Sequence, residues 1–185
     1  MGTKNALENK TIVMVIAFKD FQDEEYLIPK GILEEAGIKI ITASSSLGEA
    51  IGSQGNQTKV DILIENINVS DYDAILFIGG YGAQKYIEDN TCHQVIRETI
   101  ENKKLIGAIC IAPAILAKAG ALKGKNATVW NSAMDKSAIK ILESNGAIFK
   151  PESVVIEDKI VTASGPQAAE EFAKIIILEL RNAIS

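Results

Sequence analysis

The sequence has few of the side chains that most often bind metals or transfer protons near neutral pH. Its 185 residues include one histidine, His93, and two cysteines, Cys92 and Cys110. These three residues do not make up a metal-ligand set, so we expect no metal and no other cofactor. Two thiols could form at most one disulfide, and no secretory signal is evident, so we expect both to be free in a reducing, cytoplasmic compartment.

Long hydrophobic runs and extended basic patches are also missing. The longest apolar stretch runs from Ile106 to Ala117, well short of the roughly 20 residues that a membrane-spanning helix needs. The net charge is −5, and the local basic features are limited to Lys103-Lys104 and the Lys123-Gly124-Lys125 cluster. A phosphate-binding surface is therefore disfavoured. We expect neither a membrane nor a nucleic acid as partner.

The residues that are present predict one α/β domain. Hydrophobic residues make up 47% and charged residues 23% of the chain, which is typical of a globular protein. Short runs rich in β-branched residues alternate with longer segments of helical period, as in parallel sheets with crossover helices. We predict a single domain over residues 1–185, with residues 1–10 flexible, in a three-layer α/β/α sandwich with a mostly parallel, flavodoxin-like central sheet.

The pattern assigns most of the chain to regular elements. The predicted strands are a central strand at 11–18, a strand at 38–44, an exposed strand or hairpin arm at 58–66, strands at 74–80 and 105–110, and a hairpin at 153–164. The predicted helices cover 24–37, 90–104, 112–120, 132–146 and 165–180. The apolar pattern of the first helix directs Ile28, Ile32, Leu33 and Ala36 inward, and Pro29 must lie in its opening turn or kink it. The second helix directs Val95, Ile96, Thr99 and Ile100 inward.

Cys110 lies where a buried strand turns into a helix. Small residues surround it, and Pro113 opens the helix that follows. Such a turn can project a side chain from the sheet edge, and the helix start supplies N–H groups that would lower the cysteine pKa below about 8.5. The alternative is a buried cysteine that behaves as a small hydrophobic residue. The position at a strand's carboxyl end favours a ligand site, because open α/β sheets bind ligands there.

Four segments of the chain resemble motifs of one family and occur in the same order as in that family. They are "EEYLIP", "FIGGYGA", "AICIAPAILAKAGALKGK" and "VVIEDKIVTASGPQAAEEFA". Together they resemble the ThiJ/PfpI superfamily of DJ-one-like proteins, which has a class I glutamine amidotransferase-like fold. The resemblance covers residues 11 to about 180. No single segment is specific for this family, but the four segments in the family's order are.

The resemblance implies roles for individual residues. Cys110 would be the reactive nucleophile at a nucleophile elbow, and Glu25 would hydrogen-bond its sulfur. The backbone N–H groups of Gly80 and Ile111 would form an oxyanion hole. Read by itself, Glu25 could instead be a solvated acid that complements the helix dipole.

The family also suggests pocket residues and an assembly. Gly79, Trp130 and Asn131 are the pocket candidates. Family members are typically dimers or larger, so we expect a homodimer or higher homo-oligomer, for which the exposed strand at 58–66 offers a pairing edge.

The sequence departs from the family pattern where a catalytic histidine would stand. Peptidase-type members carry a histidine directly after the cysteine, but this chain has Ile111. Other members place one after the next strand, where Trp130 or Asn131 stands here. We interpret His93 as an exposed residue at a helix start, outside the reach of the nucleophile.

These departures favour a Cys110–Glu25 site without a catalytic histidine. The predicted function is a glyoxalase-like or deglycase-like reaction on a small electrophile, namely a reactive carbonyl compound. A non-enzymatic cysteine sensor of redox or stress conditions is one alternative. An intracellular cysteine peptidase of the PfpI type is another, which the missing histidine disfavours.

Overall fold

The computed structural model describes residues 7–183 of the chain. Its strands, in chain order, are β1 (Thr11–Val15), β2 (Lys19–Phe21), β3 (Lys39–Ser44), β4 (Gly48–Gly52), β5 (Gln57–Val60), β6 (Ile62–Leu63), β7 (Ala74–Phe77), β8 (Leu105–Ile109), β9 (Asn126–Ala127), β10 (Ile148–Phe149), β11 (Val154–Glu157) and β12 (Ile160–Ala163). Its α-helices are α1 (Asp23–Glu35), α2 (Asn90–Glu101), α3 (Pro113–Lys118), α4 (Ser137–Ser144) and α5 (Ala169–Asn182). Four 3₁₀ segments lie at Ile64–Asn66, Val69–Asp71, Tyr81–Tyr86 and Pro166–Ala168.

A seven-stranded sheet with the order β11-β12-β8-β7-β1-β3-β6 forms the centre of the domain. Every pair in it is parallel except β11 with β12. Four of the five residues of β1 are buried, as are all residues of β7, β8 and β12, because strands covered by helices on both faces meet no solvent. The predicted α/β fold with a mostly parallel sheet, a central first strand and a C-terminal hairpin is therefore confirmed.

The helices and two small sheets cover this centre. Helices α1 and α5 pack against each other, and α3 packs against both α2 and α4. A three-stranded sheet of β2, β4 and β5 and a pair of β9 and β10 complete the domain. The predicted strand at 58–66 divides: β5 pairs antiparallel with β4, β6 joins the central sheet beside β3, and Ile64–Asn66 is 3₁₀.

The buried face of α1 differs from the predicted one. Its buried residues are Asp23, Glu25, Tyr26, Pro29 and Leu33, whereas Ile28 is 40% exposed. The inward face is set by the Tyr26 hydroxyl, which lies 2.7 Å from Thr42 Oγ1, and by two buried acids, which hydrophobic periodicity cannot detect. Pro29 lies inside the helix rather than in its opening turn, and no proline N–H is available to bond to the carbonyl of Glu25.

Three other predicted boundaries or faces are wrong. Ile100 of α2 is exposed. Helix α4 begins only at Ser137, because the preceding residues form a turn in which the Asp135 N–H donates to Ser132 Oγ. The last helix begins at Ala169 after a 3₁₀ turn.

The expectation of a flexible start falls partly on residues 1–6, which lie outside the described residues. The residues that follow pack on the domain: Leu7 is fully buried, and Lys10 Nζ lies 2.9 Å from Asp73 Oδ1.

Candidate active site

Cys110 occupies a strained turn directly after β8. Its φ is +64°, in a region that non-glycine residues rarely enter. The turn is fixed on both sides, since the Cys110 N–H donates to the Ala163 carbonyl at 2.9 Å and the Cys110 carbonyl accepts from the Trp130 N–H at 2.8 Å. Helix α3 then begins at Pro113. This is the predicted elbow, and it leaves the Cys110 side chain partly exposed.

Glu25 is placed beside this elbow by the first turn of α1. Its side chain is fully buried. An added Cβ at Gly79 would lie 2.6 Å from both Cys110 Cβ and Glu25 Oε2, which shows how closely the two side chains meet behind that glycine. Burial raises the pKa of Glu25 to about 7. The Cys110 thiol and the Gly79 N–H oppose this rise, but neither carboxyl oxygen has a partner of ordinary hydrogen-bond geometry among residues 7–183.

The thiol pKa differs from the sequence prediction. Burial raises the pKa of Cys110, and the nearby Glu25 carboxylate raises it further. The N–H groups of Gly80 and Ile111 lower it, as expected of an elbow, but by less. The Cys110 thiol and the Glu25 carboxyl are too close to ionise independently. Loss of the first proton leaves one negative charge in the pair, and this charge opposes loss of the second proton.

Two glycines make room for this arrangement. Gly80 has a φ of +105°, and a Cβ there would lie 2.6 Å from the Asp20 carbonyl oxygen. At Gly79 a Cβ would also lie 2.9 Å from the Ile109 carbonyl oxygen, while the Gly79 carbonyl accepts from the Gln22 N–H at 3.1 Å. Side chains at either position would push apart the segments that form the site.

A cavity of about 430 Å³ opens over the sulfur. Five residues singled out from the sequence line it, namely Cys110, Glu25, Gly80, Ile111 and Trp130. The other lining residues are Gln22, Ser53, Tyr81, Gln84, Ile87, Asp135, Ser137, Ile141 and Pro166.

Two pocket candidates take other positions. Gly79 lies behind Cys110 and Glu25 rather than in the cavity wall. Asn131 is not among the lining residues: its amide nitrogen donates to the Val129 carbonyl at 3.2 Å, and its oxygen accepts from Lys136 Nζ at 3.0 Å.

Asp23 helps to hold the helix turn that carries Glu25, a role that the sequence did not indicate. It is buried, and its carboxylate accepts from Gln54 N at 2.8 Å and from Asn56 N and Nδ2 at 3.1 and 2.7 Å. Burial alone would raise the pKa of Asp23, but these hydrogen bonds outweigh it and hold the pKa below its usual value. Asp23 thereby ties the start of α1, and with it Glu25, to the turn between β4 and β5. An acid in the first turn of a helix gave no sign of this role.

His93 is buried rather than exposed, which corrects the expectation. It is 7% exposed, and Nε2 lies 2.7 Å from the Ile87 carbonyl oxygen. It is not among the cavity-lining residues. Its neighbour Cys92 is fully buried, and burial raises the pKa of that thiol.

A sequence model of the DJ-1/PfpI family matches residues 10–179. The chain belongs to this family. Its structure is similar to that of a ThiJ/PfpI domain protein from Brachyspira murdochii, with a TM-score of 0.88, 29% identity and full coverage of both chains.

Two curated relatives share more sequence with the chain than this solved structure does. An uncharacterized protein of Methanocaldococcus jannaschii is 37% identical over 96% of this chain and 84% of its own. The Bacillus subtilis protein YraA, whose name proposes a cysteine protease, is 33% identical over 86% of this chain and 92% of its own.

The described residues contain neither a membrane-spanning helix nor a cluster of metal ligands. Within residues 7–183, no helix is both long and apolar enough to cross a membrane. In the same range, no group of three or more His, Cys, Asp or Glu side chains is arranged to hold a metal ion.

Proposed function

We propose that Cys110 is the nucleophile of a reaction that converts small α-oxoaldehydes into 2-hydroxy acids, with Glu25 as the proton carrier. The observation that carries this proposal is the burial of the Glu25 carboxyl against a partly exposed thiol at the floor of a small cavity. A pKa of about 7 lets Glu25 both take up and release a proton near neutrality.

The first step joins the sulfur to the aldehyde carbon. Glu25, as the carboxylate, takes the proton of the Cys110 thiol, the sulfur attacks that carbon to form a C–S bond, and the carbonyl π electrons move to the oxygen. The N–H groups of Gly80 and Ile111, which lower the pKa of the thiol, would stabilise the developing oxyanion. Loss of one such donor typically costs about 10²–10³ in rate. Transfer of that proton from Glu25 to the oxyanion gives a hemithioacetal and returns Glu25 to the carboxylate.

The second step is an internal oxidation and reduction. Glu25 removes the hydrogen on the former aldehyde carbon as a proton, and the electron pair forms an enediol with the neighbouring carbonyl. Return of a proton to that neighbouring carbon gives the thioester of a 2-hydroxy acid. Water then breaks the C–S bond and restores the thiol. The aldehyde carbon is oxidised and the ketone carbon is reduced, so no external oxidant is needed.

Turnover of methylglyoxal in D₂O tests this proposal. Proton NMR should show lactate with deuterium on C2, because the proton held by Glu25 exchanges with solvent. Cys110→Ser should abolish turnover, and Glu25→Gln should lower kcat by about 10²–10³. Cys92→Ala, at a buried thiol away from the cavity, is the control and should leave the rate unchanged. Absence of lactate with the folded wild-type protein would reject the proposal.

Redox sensing is a second candidate, favoured by the same buried carboxyl. A protonated Glu25 can donate a hydrogen bond to a sulfinate formed on Cys110 when peroxide supplies the two oxygens. Peroxide titration with peptide mass mapping should place the oxidation on Cys110 before the fully buried Cys92. Oxidation that begins at Cys92 would reject this candidate.

A peptidase reaction has weaker support. No imidazole stands among the described residues that line the cavity, so the protonation of an amine leaving group would fall on Glu25 alone. We expect no cleavage from a panel of fluorogenic peptides.

A further inference from the structure

The cavity over Cys110 contains acidic side chains but no basic one. Of the described residues that line it, Glu25 and Asp135 are acids, and none is lysine, arginine or histidine. Protein sites that bind carboxylates generally supply a cationic side chain, most often an arginine that pairs with both oxygens. A carboxylate entering this cavity would meet no such partner.

The two acids lie at different depths. Glu25 is fully buried beside the sulfur, whereas Asp135 is exposed at the rim, just before α4. Asp135 is held in place by the Ser137 N–H, which donates to Oδ1 at 2.8 Å, and by its own N–H, which donates to Ser132 Oγ at 3.0 Å. The hydrogen bonds from Ser137 hold the pKa of Asp135 below its usual value, with a smaller contribution from Lys140.

The nearby lysines do not turn the rim into an anion site. Lys136 Nζ donates to Asn131 Oδ1 at 3.0 Å, and neither Lys136 nor Lys140 is among the residues that line the cavity. The neutral polar groups of the wall, such as the amides of Gln22 and Gln84, suit uncharged oxygen atoms. The apolar wall formed by Ile87, Ile111 and Ile141 suits a short alkyl group.

We propose that this cavity selects uncharged or cationic carbonyl compounds and rejects those that carry a carboxylate, with Asp135 as a specificity-determining residue at the rim. The choice of carbonyl compounds rests on the proposed function of Cys110. The selection by charge does not, because it applies to any reagent that must reach the sulfur.

Alkylation of Cys110 tests the selection independently of catalysis. Iodoacetamide and iodoacetate are similar in size, and both form an S–CH₂ bond with loss of iodide, but only iodoacetate is charged. With rates normalised to 2-mercaptoethanol and adducts located by mass mapping, Cys110 should prefer iodoacetamide by at least about tenfold. Asp135→Asn should lower that preference by about two- to threefold. Added salt should shrink the difference between this variant and the wild type, because an exposed charge is screened.

Asp158→Asn is the matched control. It removes the same charge from the turn between β11 and β12, where Asp158 pairs with Lys125 and does not line the cavity. It should leave the preference unchanged. Equal normalised rates for the two reagents in the wild type would overturn the selection. If Asp135→Asn and Asp158→Asn lower the preference for iodoacetamide equally, Asp135 is not the residue that determines the selectivity.

Turnover measurements separate this inference from the proposed function. Methylglyoxal should react with a higher kcat/KM than 4,5-dioxopentanoate, an α-oxoaldehyde that carries a carboxylate. If neither is turned over but the alkylation preference remains, the proposed function fails and the selection by charge stands. If both are turned over equally well and no alkylation preference exists, the function stands and the selection fails.

Discussion

The buried carboxyl of Glu25 makes the stability of the protein depend on pH. Its pKa is raised from 4.5 to about 7 in the folded state. Below about pH 4.5 the carboxyl is protonated in both the folded and the unfolded state, so its burial carries no electrostatic cost. Between pH 4.5 and 7 the unfolded state loses the proton before the folded state does, so the free energy of unfolding falls as pH rises. Above pH 7 this loss of stability is complete.

Glu25→Gln should remove this dependence. Above pH 7 the variant should be more stable than the wild type by up to about 3 kcal/mol, since each pKa unit corresponds to about 1.4 kcal/mol. Below pH 4.5 the difference should vanish. Urea denaturation at unit steps from pH 4 to 8 measures it, with Glu24→Gln as the exposed control on the same turn. A pH-independent difference would contradict the burial of an ionisable Glu25.

The attachment of α1 to the β4–β5 turn is tested by Asp23→Ala. The change leaves the N–H groups of Gln54 and Asn56 without their acceptor, so we expect a loss of about 2–3 kcal/mol in the free energy of unfolding. Cys110 alkylation should also change, because Glu25 lies on the released helix turn. Glu24→Ala is the control for lost helix charge. A loss no larger than that of Glu24→Ala would show that Asp23 does not hold the helix.

The close approach between β7 and β8 at the site predicts a sharp contrast between two glycines. Gly79→Ala places a methyl group against Cys110 and Glu25, so it should destabilise the protein by about 1–3 kcal/mol and suppress reactivity of the thiol. Gly31→Ala, in α1 and with nothing within 4 Å of its added Cβ, should instead stabilise by about 0.5–1 kcal/mol. Thermal unfolding and the alkylation rate measure both variants. Normal reactivity in Gly79→Ala would contradict the described packing.

The elements differ in how far the sequence could predict them. The turn at Cys110 was predictable, because a buried strand, small residues and Pro113 follow one another along the chain. The inward face of α1 was not, because burial of Asp23 and Glu25 depends on partners that arrive from the β4–β5 turn and from β8. His93 was misjudged for a similar reason: its acceptor is the Ile87 carbonyl, and no pattern of side chains reveals a carbonyl.

The sequence also predicted only part of the candidate site. The family resemblance indicated Glu25, Gly80 and Ile111, and the structure places all three around Cys110. Asp135 and Gln84 lie outside the residues that the sequence indicated, and tertiary folding brings them to the cavity. Asn131 was a candidate because it stands about where other family members place a histidine, yet its side chain bonds to Val129 and Lys136 instead.

For the whole molecule, we expect self-association. The structure leaves short free edges at β5 and β6 rather than one long strand, but Leu27 and Ile28 of α1 are 42% and 40% exposed and add apolar surface. Sedimentation velocity over a micromolar concentration series should show a species larger than the 19.9 kDa chain. A single species of chain mass at all concentrations would contradict this expectation.

The hydrogen bond from the Cys110 N–H to Ala163 joins the elbow to a strand made much later along the chain. On the ribosome, β8 and Cys110 leave the exit tunnel well before β12, and Pro166, which closes part of the cavity, follows later still. Until then the nascent chain carries its cysteine without the backbone that holds the turn. We therefore expect the thiol to acquire its native reactivity only after β12 has paired with β8, and a chain truncated before β12 to lack that reactivity.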